Sequence, residues 1–158
     1  MRSSPTWPPG ATAAECSDVD AFDADVLIYA ATPGNELGRR VRALFPAGPL
    51  TTADEPAGVG SVLLLTELLT KPLRDGADEE LRALAALLAR LTLLPVDEST
   101  ARLAVALGAE YRLRTADAVH LATAVAAGAD RFITNNTADF TDTITEVTIT
   151  RPDELPEA

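Results

Sequence analysis

Acidic residues stand at several points where the pattern of apolar residues predicts that a strand ends or a helix begins. Asp23 and Asp25 lie in the segment AFDADVLIYA, on or beside the first apolar run, and Glu67 lies where the second apolar run becomes a helix. Asp117 falls in the first turn of the predicted helix TADAVHLATAVAAGA, and Asp139 follows the predicted strand RFITN. Ligands of parallel sheets bind at the carboxyl ends of the strands, so we expect these carboxylates to lie close together.

A cluster of carboxylates with few basic neighbours is typical of a site for a hard divalent cation. Mg²⁺ and Mn²⁺ prefer oxygen ligands and keep several waters. Without a metal, the acids would repel one another and their pKa values would rise. The single histidine and single cysteine of the chain argue against a zinc site. Each acid also has an ordinary explanation when it is taken alone: Asp117 as a first-turn acid that the helix dipole tolerates, and Glu67 as a solvated helix residue.

The elements that must position these acids alternate between strands and helices. Predicted strands cover 21–30, 92–97, 131–135 and 146–150, and the segment SVLLL is a short strand or the entry to the helix that follows. Predicted helices cover 34–45, 78–91, 98–113 and 115–129, the last with Thr115 as N-cap and Gly128 as its stop, and 46–60 is predicted as loop. This alternation predicts an α/β fold with a central parallel sheet flanked by helices.

The composition indicates one globular domain. The chain has 158 residues, 47% hydrophobic and 23% charged, and we predict a flexible N-terminal tail over 1–18 and a domain over 19–158. Cys16 is the only cysteine, so no internal disulfide can form, and we expect a cytoplasmic protein. No apolar stretch reaches the roughly 20 residues of a membrane span or resembles a signal peptide.

Three segments together resemble the PIN-domain ribonucleases of the VapC toxin type. FDADVLIYA is similar to the opening strand of that family, SVLLLTELL to its second acidic motif, and LRTADAVHLATAVAAGADRFITNNTADF to its third and fourth motifs run together. The resemblance extends over residues 21–155. It implies a PIN-like three-layer fold, a Mg²⁺- or Mn²⁺-dependent endoribonuclease that acts as a homodimer, and inhibition by a cognate VapB-like antitoxin.

The resemblance also implies roles for the acids. Asp23, Glu67 and Asp117 would be catalytic, with Asp23 and Asp117 binding the metal directly. Glu67 would bind the metal through water or orient the attacking water, which the metal activates. Asp25 would hydrogen-bond this site from outside the metal's own ligands. Thr66 would either donate a hydrogen bond to one of the ligand acids or merely begin a helix.

The fourth acidic position departs from the family pattern. The run Thr134-Asn135-Asn136 places Asn136 where the family usually has an aspartate, and Asp139 is displaced by a few residues. Either Asn136 or Asp139 would be the fourth metal ligand. His120 lies one turn after Asp117 on a helix rich in Ala and Leu, and it would be either a packed core histidine or a phosphate contact.

The basic residues suggest where RNA phosphates could bind. They fall into three groups: Arg39, Arg40 and Arg42 on the first helix, Lys71 and Arg74 after Glu67, and Arg112 and Arg114 before Asp117. The last two groups are the candidate RNA-binding residues, although surface salt bridges with the many acids would explain them equally well. A net charge of −11 repels nucleic acid at long range, so an RNA substrate would require a metal and a local basic patch.

Two other functions compete with the nuclease. FDADVLIYA also resembles the Asp-x-Asp nucleophile motif of haloacid-dehalogenase-like phosphatases, with Asp23 as nucleophile and Asp25 as acid. That chemistry requires a late acidic pair, but no two adjacent aspartates occur late in the chain, and Glu67 and Asp117 would have no role. The second alternative is a catalytically degenerate PIN domain that only binds a partner, which the amide of Asn136 would favour.

Overall fold

A computed structural model describes residues 18–51 and 53–158, which form five strands and six α-helices. The strands are β1 (Asp20–Phe22), β2 (Gly58–Ser61), β3 (Leu91–Leu94), β4 (Arg131–Ile133) and β5 (Thr148–Thr150). The helices are α1 (Ala24–Ala31), α2 (Glu36–Arg42), α3 (Leu63–Asp75), α4 (Asp78–Leu88), α5 (Glu98–Tyr111) and α6 (Thr115–Ala126). Except for Asp18, the predicted tail lies outside the described residues.

The strands form one parallel sheet in the order β3-β2-β1-β4-β5, which confirms the predicted fold class. The central strand β1 pairs with β2 on one side and with β4 on the other. Its last residue, Phe22, lies opposite Ile133 at the end of β4. The residues that follow β1 and β4 therefore meet at one edge of the sheet, which places the segments after Phe22 and Ile133 next to each other.

Two apolar clusters cover the two faces of the sheet, so the fold has three layers. One cluster packs α5 and α6 against the sheet and includes Leu121 and Phe132, whose side chains are fully buried. The other packs α1 to α4 against the opposite face and includes Leu27 and Leu64. In the described residues no helix is long and apolar enough to cross a membrane.

The predicted strand over 21–30 is wrong, because the chain turns into a helix after three strand residues. Asp23 has extended backbone angles and accepts a hydrogen bond from the backbone N–H of Ala24, so it caps α1. Val26, Leu27 and Ala30 are the buried residues of α1, which is a helical spacing. Asp23 and Asp25 therefore do not share one face of a strand.

The predicted loop over 46–60 is also wrong at its end, where β2 begins at Gly58. A Cβ atom at Gly58 would collide with the backbone carbonyl of Asp20, so the close pairing of β1 and β2 requires a glycine here. Glycine is rare in strands, which hides this one from sequence patterns. At α6, Arg114 rather than Thr115 is the N-cap and makes no side-chain capping bond, whereas Gly128, with φ of 69°, ends the helix as predicted.

Candidate active site

Asp23 lies at the junction of β1 and α1, where its carboxylate is almost fully buried. One oxygen accepts from the Ala24 backbone N–H at 2.8 Å, and the other accepts from the Thr134 hydroxyl at 2.8 Å. Thr134 is fully buried and directly follows β4. Burial raises the pKa of Asp23, and these two hydrogen bonds oppose that shift only in part.

Asp25, in the first turn of α1, fixes the loop that follows β4. Its carboxylate accepts from the backbone N–H of Asn135 at 3.0 Å and from that of Val26 at 2.7 Å. Burial, together with repulsion from Asp23, raises the pKa of Asp25 to about 6. Asp25 thus stands beside Asp23 and fixes the backbone after β4, and its role in supporting a metal site stays a prediction.

Helices α3 and α6 bring two more acids to this edge of the sheet. Glu67 is in the second turn of α3, and its Oε2 lies 2.8 Å from Nε2 of His120 on α6. Asp117 is in the first turn of α6. Its pKa is raised by burial and by the negative charges of Asp23, Asp139 and Glu67. The three acids predicted to be catalytic therefore act on one another electrostatically.

Asn136 and Asp139, the two candidates for the fourth metal ligand, are hydrogen-bonded to each other. The Asn136 amide nitrogen donates to Asp139 Oδ2 at 2.9 Å, and the Asp139 backbone N–H donates to Asn136 Oδ1 at 3.3 Å. Both groups of the Asn136 side chain are thus used locally. The carboxylate of Asp139 also raises the pKa of Asp117, after burial and the charge of Asp23. The geometry favours Asp139 over Asn136 as the fourth acid.

The comparison with protein-family models shows to which family the chain belongs. The sequence model described as "PIN domain" matches residues 21–143, which is most of the chain. The chain belongs to the PIN-domain family. No curated protein matches the sequence. Membership in this family removes the phosphatase alternative.

Solved structures with the same fold come from toxin–antitoxin complexes. A toxin–antitoxin complex from Klebsiella pneumoniae contains a chain that is 25% identical, with a TM-score of 0.65, over 85% of this PIN domain chain and 97% of that chain. A chain of DNA-bound VapBC from Salmonella typhimurium is 20% identical, with a TM-score of 0.65, over 86% of this chain and 99% of that chain. A chain of VapBC2 from Rickettsia felis, bound to a promoter DNA fragment, is 16% identical, with a TM-score of 0.63, over 84% of this chain and 98% of that chain. The predicted resemblance to VapC-type PIN domains is therefore confirmed.

The donor atoms of this PIN domain suit Mg²⁺ or Mn²⁺. Every candidate ligand except Asn136 is a carboxylate, and a cation would offset the burial and the mutual repulsion that raise the pKa values of Asp23 and Asp117. Within residues 18–51 and 53–158, no three His, Cys, Asp or Glu side chains form a ready metal cage. An open set of acids is compatible with Mg²⁺, which binds through one or two carboxylates and keeps several waters.

The predicted RNA-binding residues differ in their contacts. Lys71 and Arg74 both pair with Asp75, at 3.5 and 3.0 Å, near the end of α3. Arg112 and Arg114 immediately precede α6 and make no ion pair with the described residues. No ion pair with the described residues therefore competes with a phosphate for the second pair.

Three polar side chains show where sequence reasoning was incomplete. Thr134 is not among the predicted site residues, and its position inside the predicted strand 131–135 gives no sign of the hydrogen bond that it donates to Asp23. His120 is packed, as one alternative held, but its partner Glu67 is 53 residues away and was not foreseen. The hydroxyl of Thr66 donates to the Leu63 carbonyl of its own helix at 2.9 Å, so the structure places it on its helix and on none of the acids.

Substituting Asp139 tests the fourth position. We expect Asp139→Ala to raise the Mn²⁺ concentration for half-maximal RNA cleavage by about tenfold, since a carboxylate near Asp117 is lost. Asp142→Ala, an exposed acid three residues further on, is the matched control and should leave it unchanged. Equal metal dependence in the two variants would exclude Asp139 from the metal site.

Proposed function

We propose that this PIN domain is a metal-dependent endoribonuclease and the toxin of a VapBC-type toxin–antitoxin pair. The observation that carries the proposal is the meeting of Asp23, Glu67 and Asp117 at the carboxyl edge of the sheet. Burial raises the pKa values of Asp23 and Asp117 there, and neither acid makes an ion pair with the described residues. Such a set is unstable by itself and is stabilised by a divalent cation.

The residues divide the work of phosphodiester hydrolysis by position. A bound Mg²⁺ or Mn²⁺ would supply a Lewis acid and lower the pKa of a coordinated water. Asp23 and Asp117 would hold that cation from two elements, β1–α1 and α6. Glu67, whose side chain is one-third exposed, would orient the attacking water and accept its proton. In this reaction a water oxygen would bond to phosphorus while the bond to the leaving ribose oxygen breaks, and that oxygen would take a proton from solvent.

Substrate binding must overcome the net charge of −11. Arg112 ends α5 and Arg114 is the N-cap of α6, five and three residues before Asp117, and their guanidinium groups can bind phosphate oxygens in a forked geometry. We infer that they hold the phosphates that flank the scissile bond. The cation itself would contribute the remaining positive charge.

A groove away from the acids would bind the antitoxin. It has a volume of about 790 Å³ and lies between α1, α2 and α4, with none of the acids of the site in its lining. Small residues form much of its wall, and three arginines line it: Arg39, Arg42 and Arg90. In a chain with strong negative charge, this local positive charge suits an amphipathic helix with acidic residues. The homodimer that the resemblance implies stays a prediction.

Blocking this groove should separate inhibition from catalysis. We expect Ala86→Glu to weaken antitoxin binding by about tenfold or more, because it adds bulk and negative charge to an exposed position on α4. Ala109→Glu, on the opposite side of the sheet, is the control. Titration of each variant with the protein encoded by the neighbouring gene measures the difference, and equal affinities would rule out this groove.

The function itself is tested by RNA cleavage with the purified chain. Metal-free protein is incubated with total RNA from the host, with Mn²⁺, with Mg²⁺ or with EDTA, and the fragments are separated and their ends mapped. Cleavage that requires the cation and stops when the antitoxin is added supports the proposal. A folded chain that binds the antitoxin but cleaves no RNA under any of these conditions would support the degenerate binding protein.

A further inference from the structure

His120 is a buried polar side chain with one hydrogen-bond partner among the described residues, and that partner is an acid of the site. Its side chain is 1% exposed, and Nε2 lies 2.8 Å from Oε2 of Glu67. Its other ring nitrogen, Nδ1, is buried and has no hydrogen-bond partner among the described residues. A packed histidine of purely structural use would normally have both nitrogens satisfied.

The hydrogen bond between His120 and Glu67 shows which ring nitrogen carries a proton. An ionised carboxylate only accepts hydrogen bonds, so the ring atom that faces Glu67 must carry a proton. A second proton on Nδ1 would be a buried N–H without an acceptor. The arrangement therefore corresponds to a ring with its proton on Nε2 and a bare Nδ1.

Glu67 depends on this contact for its orientation. The bond to His120 is the only side-chain hydrogen bond that Glu67 makes within the described residues. A glutamate with a side chain one-third exposed otherwise has several rotamers available. Because one oxygen is held by His120, the other is left free. His120 and Asp117 are three residues apart on α6, so one helix face presents both to the site.

We propose that His120 is a positioning residue: its Nε2–H holds Glu67 by one oxygen, so that the second oxygen points to the attacking water or the metal. The inference rests on the proposed nuclease function. It assigns to His120 no contact with RNA, which its burial would prevent. Outer partners of this kind typically change activity or metal affinity 10- to 100-fold when they are removed.

Three variants test the role. His120→Leu should lower kcat 10- to 100-fold and change KM little, since Glu67 loses its anchor but RNA contacts remain. His120→Gln, whose amide N–H can replace Nε2–H, should recover most of that loss. Thr123→Val is the matched control on the same helix, because Thr123 is equally buried and, among the described residues, its hydroxyl donates only to the Val119 carbonyl; this variant should match the wild type. A leucine variant that matches Thr123→Val, or a glutamine variant no better than leucine, would overturn the proposal.

A measurement independent of cleavage comes from ¹⁵N NMR of the imidazole, which is unambiguous because the chain has one histidine. We expect the proton on Nε2 in the wild type, and a changed Nε2 resonance in Glu67→Ala but not in the exposed-acid control Glu110→Gln. A proton on Nδ1, or an unchanged resonance in Glu67→Ala, would overturn the assignment even if the protein is an active nuclease. If the chain cleaves no RNA but shows the expected resonances, the nuclease proposal fails while the anchoring of Glu67 stands. If His120→Leu does not fold, His120→Gln and the spectra decide.

Discussion

Replacing Asp117 by asparagine should reduce RNA cleavage at least about 100-fold while the protein stays folded, and Glu67→Gln should do the same. Both changes remove a charge from the edge of the sheet and alter the shape of the side chain very little. Asp23→Asn belongs to this set, because asparagine is as good an N-cap as aspartate and preserves the start of α1. Asp23→Ala would also lose the cap, which would cost about 1 kcal/mol of stability and blur the result.

Glu110→Gln is the matched control for these variants, since Glu110 is an exposed acid on α5. Cleavage rates are compared at saturating Mn²⁺, with circular dichroism to confirm the fold. Near wild-type cleavage by the three folded site variants would remove the active-site assignment. Loss of cleavage in Glu110→Gln as well would show that overall charge, rather than the site, controls the activity.

The metal-free protein should become less stable as the pH rises from 5 to 7, which is opposite to the usual behaviour of paired carboxylates. Burial raises the pKa of Asp25 from 3.8 to about 6, and the pKa values of Asp23 and Asp117 are raised too. A raised pKa means that the fold favours the protonated acid. This stability is fully present below the unfolded value and is lost as the pH rises through the folded value. We expect a loss of about 1–2 kcal/mol in the free energy of unfolding over this range.

Urea unfolding in EDTA at pH 5, 6 and 7 measures this loss. Asp25→Asn should flatten the pH dependence, because the neutral amide does not titrate. Mn²⁺ at 100 times its dissociation constant should restore about 2.7 kcal/mol at pH 7 by binding only the folded state. A free energy of unfolding that rises from pH 5 to pH 7 in EDTA would contradict the electrostatic description of the site.

The sequence was sufficient to predict the fold class and to predict that the acids lie close together. Apolar runs alternate with amphipathic segments, which predicts a parallel sheet, and acids placed after successive strands must meet at its carboxyl edge. The run VLIYA after Asp25 did not reveal its own structure. It is apolar at every position and so has no period, and the deciding signal was the capping aspartate, Asp23.

Contacts between distant residues were beyond sequence reasoning. Pairing of Thr134 with Asp23 and of His120 with Glu67 joins residues 111 and 53 positions apart, and only packing of the helices on the sheet determines it. The sequence motif shows that Asn136 stands where the family has an aspartate and that Asp139 follows three residues later. The meaning of this difference required the hydrogen bond from the Asn136 amide to the Asp139 carboxylate.

We propose that Asp23 and Asp117 jointly bind a divalent cation. Calorimetric titration of Mn²⁺ into metal-free protein tests it without any assumption about the RNA. We predict saturable binding to the wild type and to Glu110→Gln, and a loss of at least about tenfold in affinity for Asp23→Asn and for Asp117→Asn. Equal Mn²⁺ affinity in all four proteins, or no saturable binding to the wild type, would contradict the account.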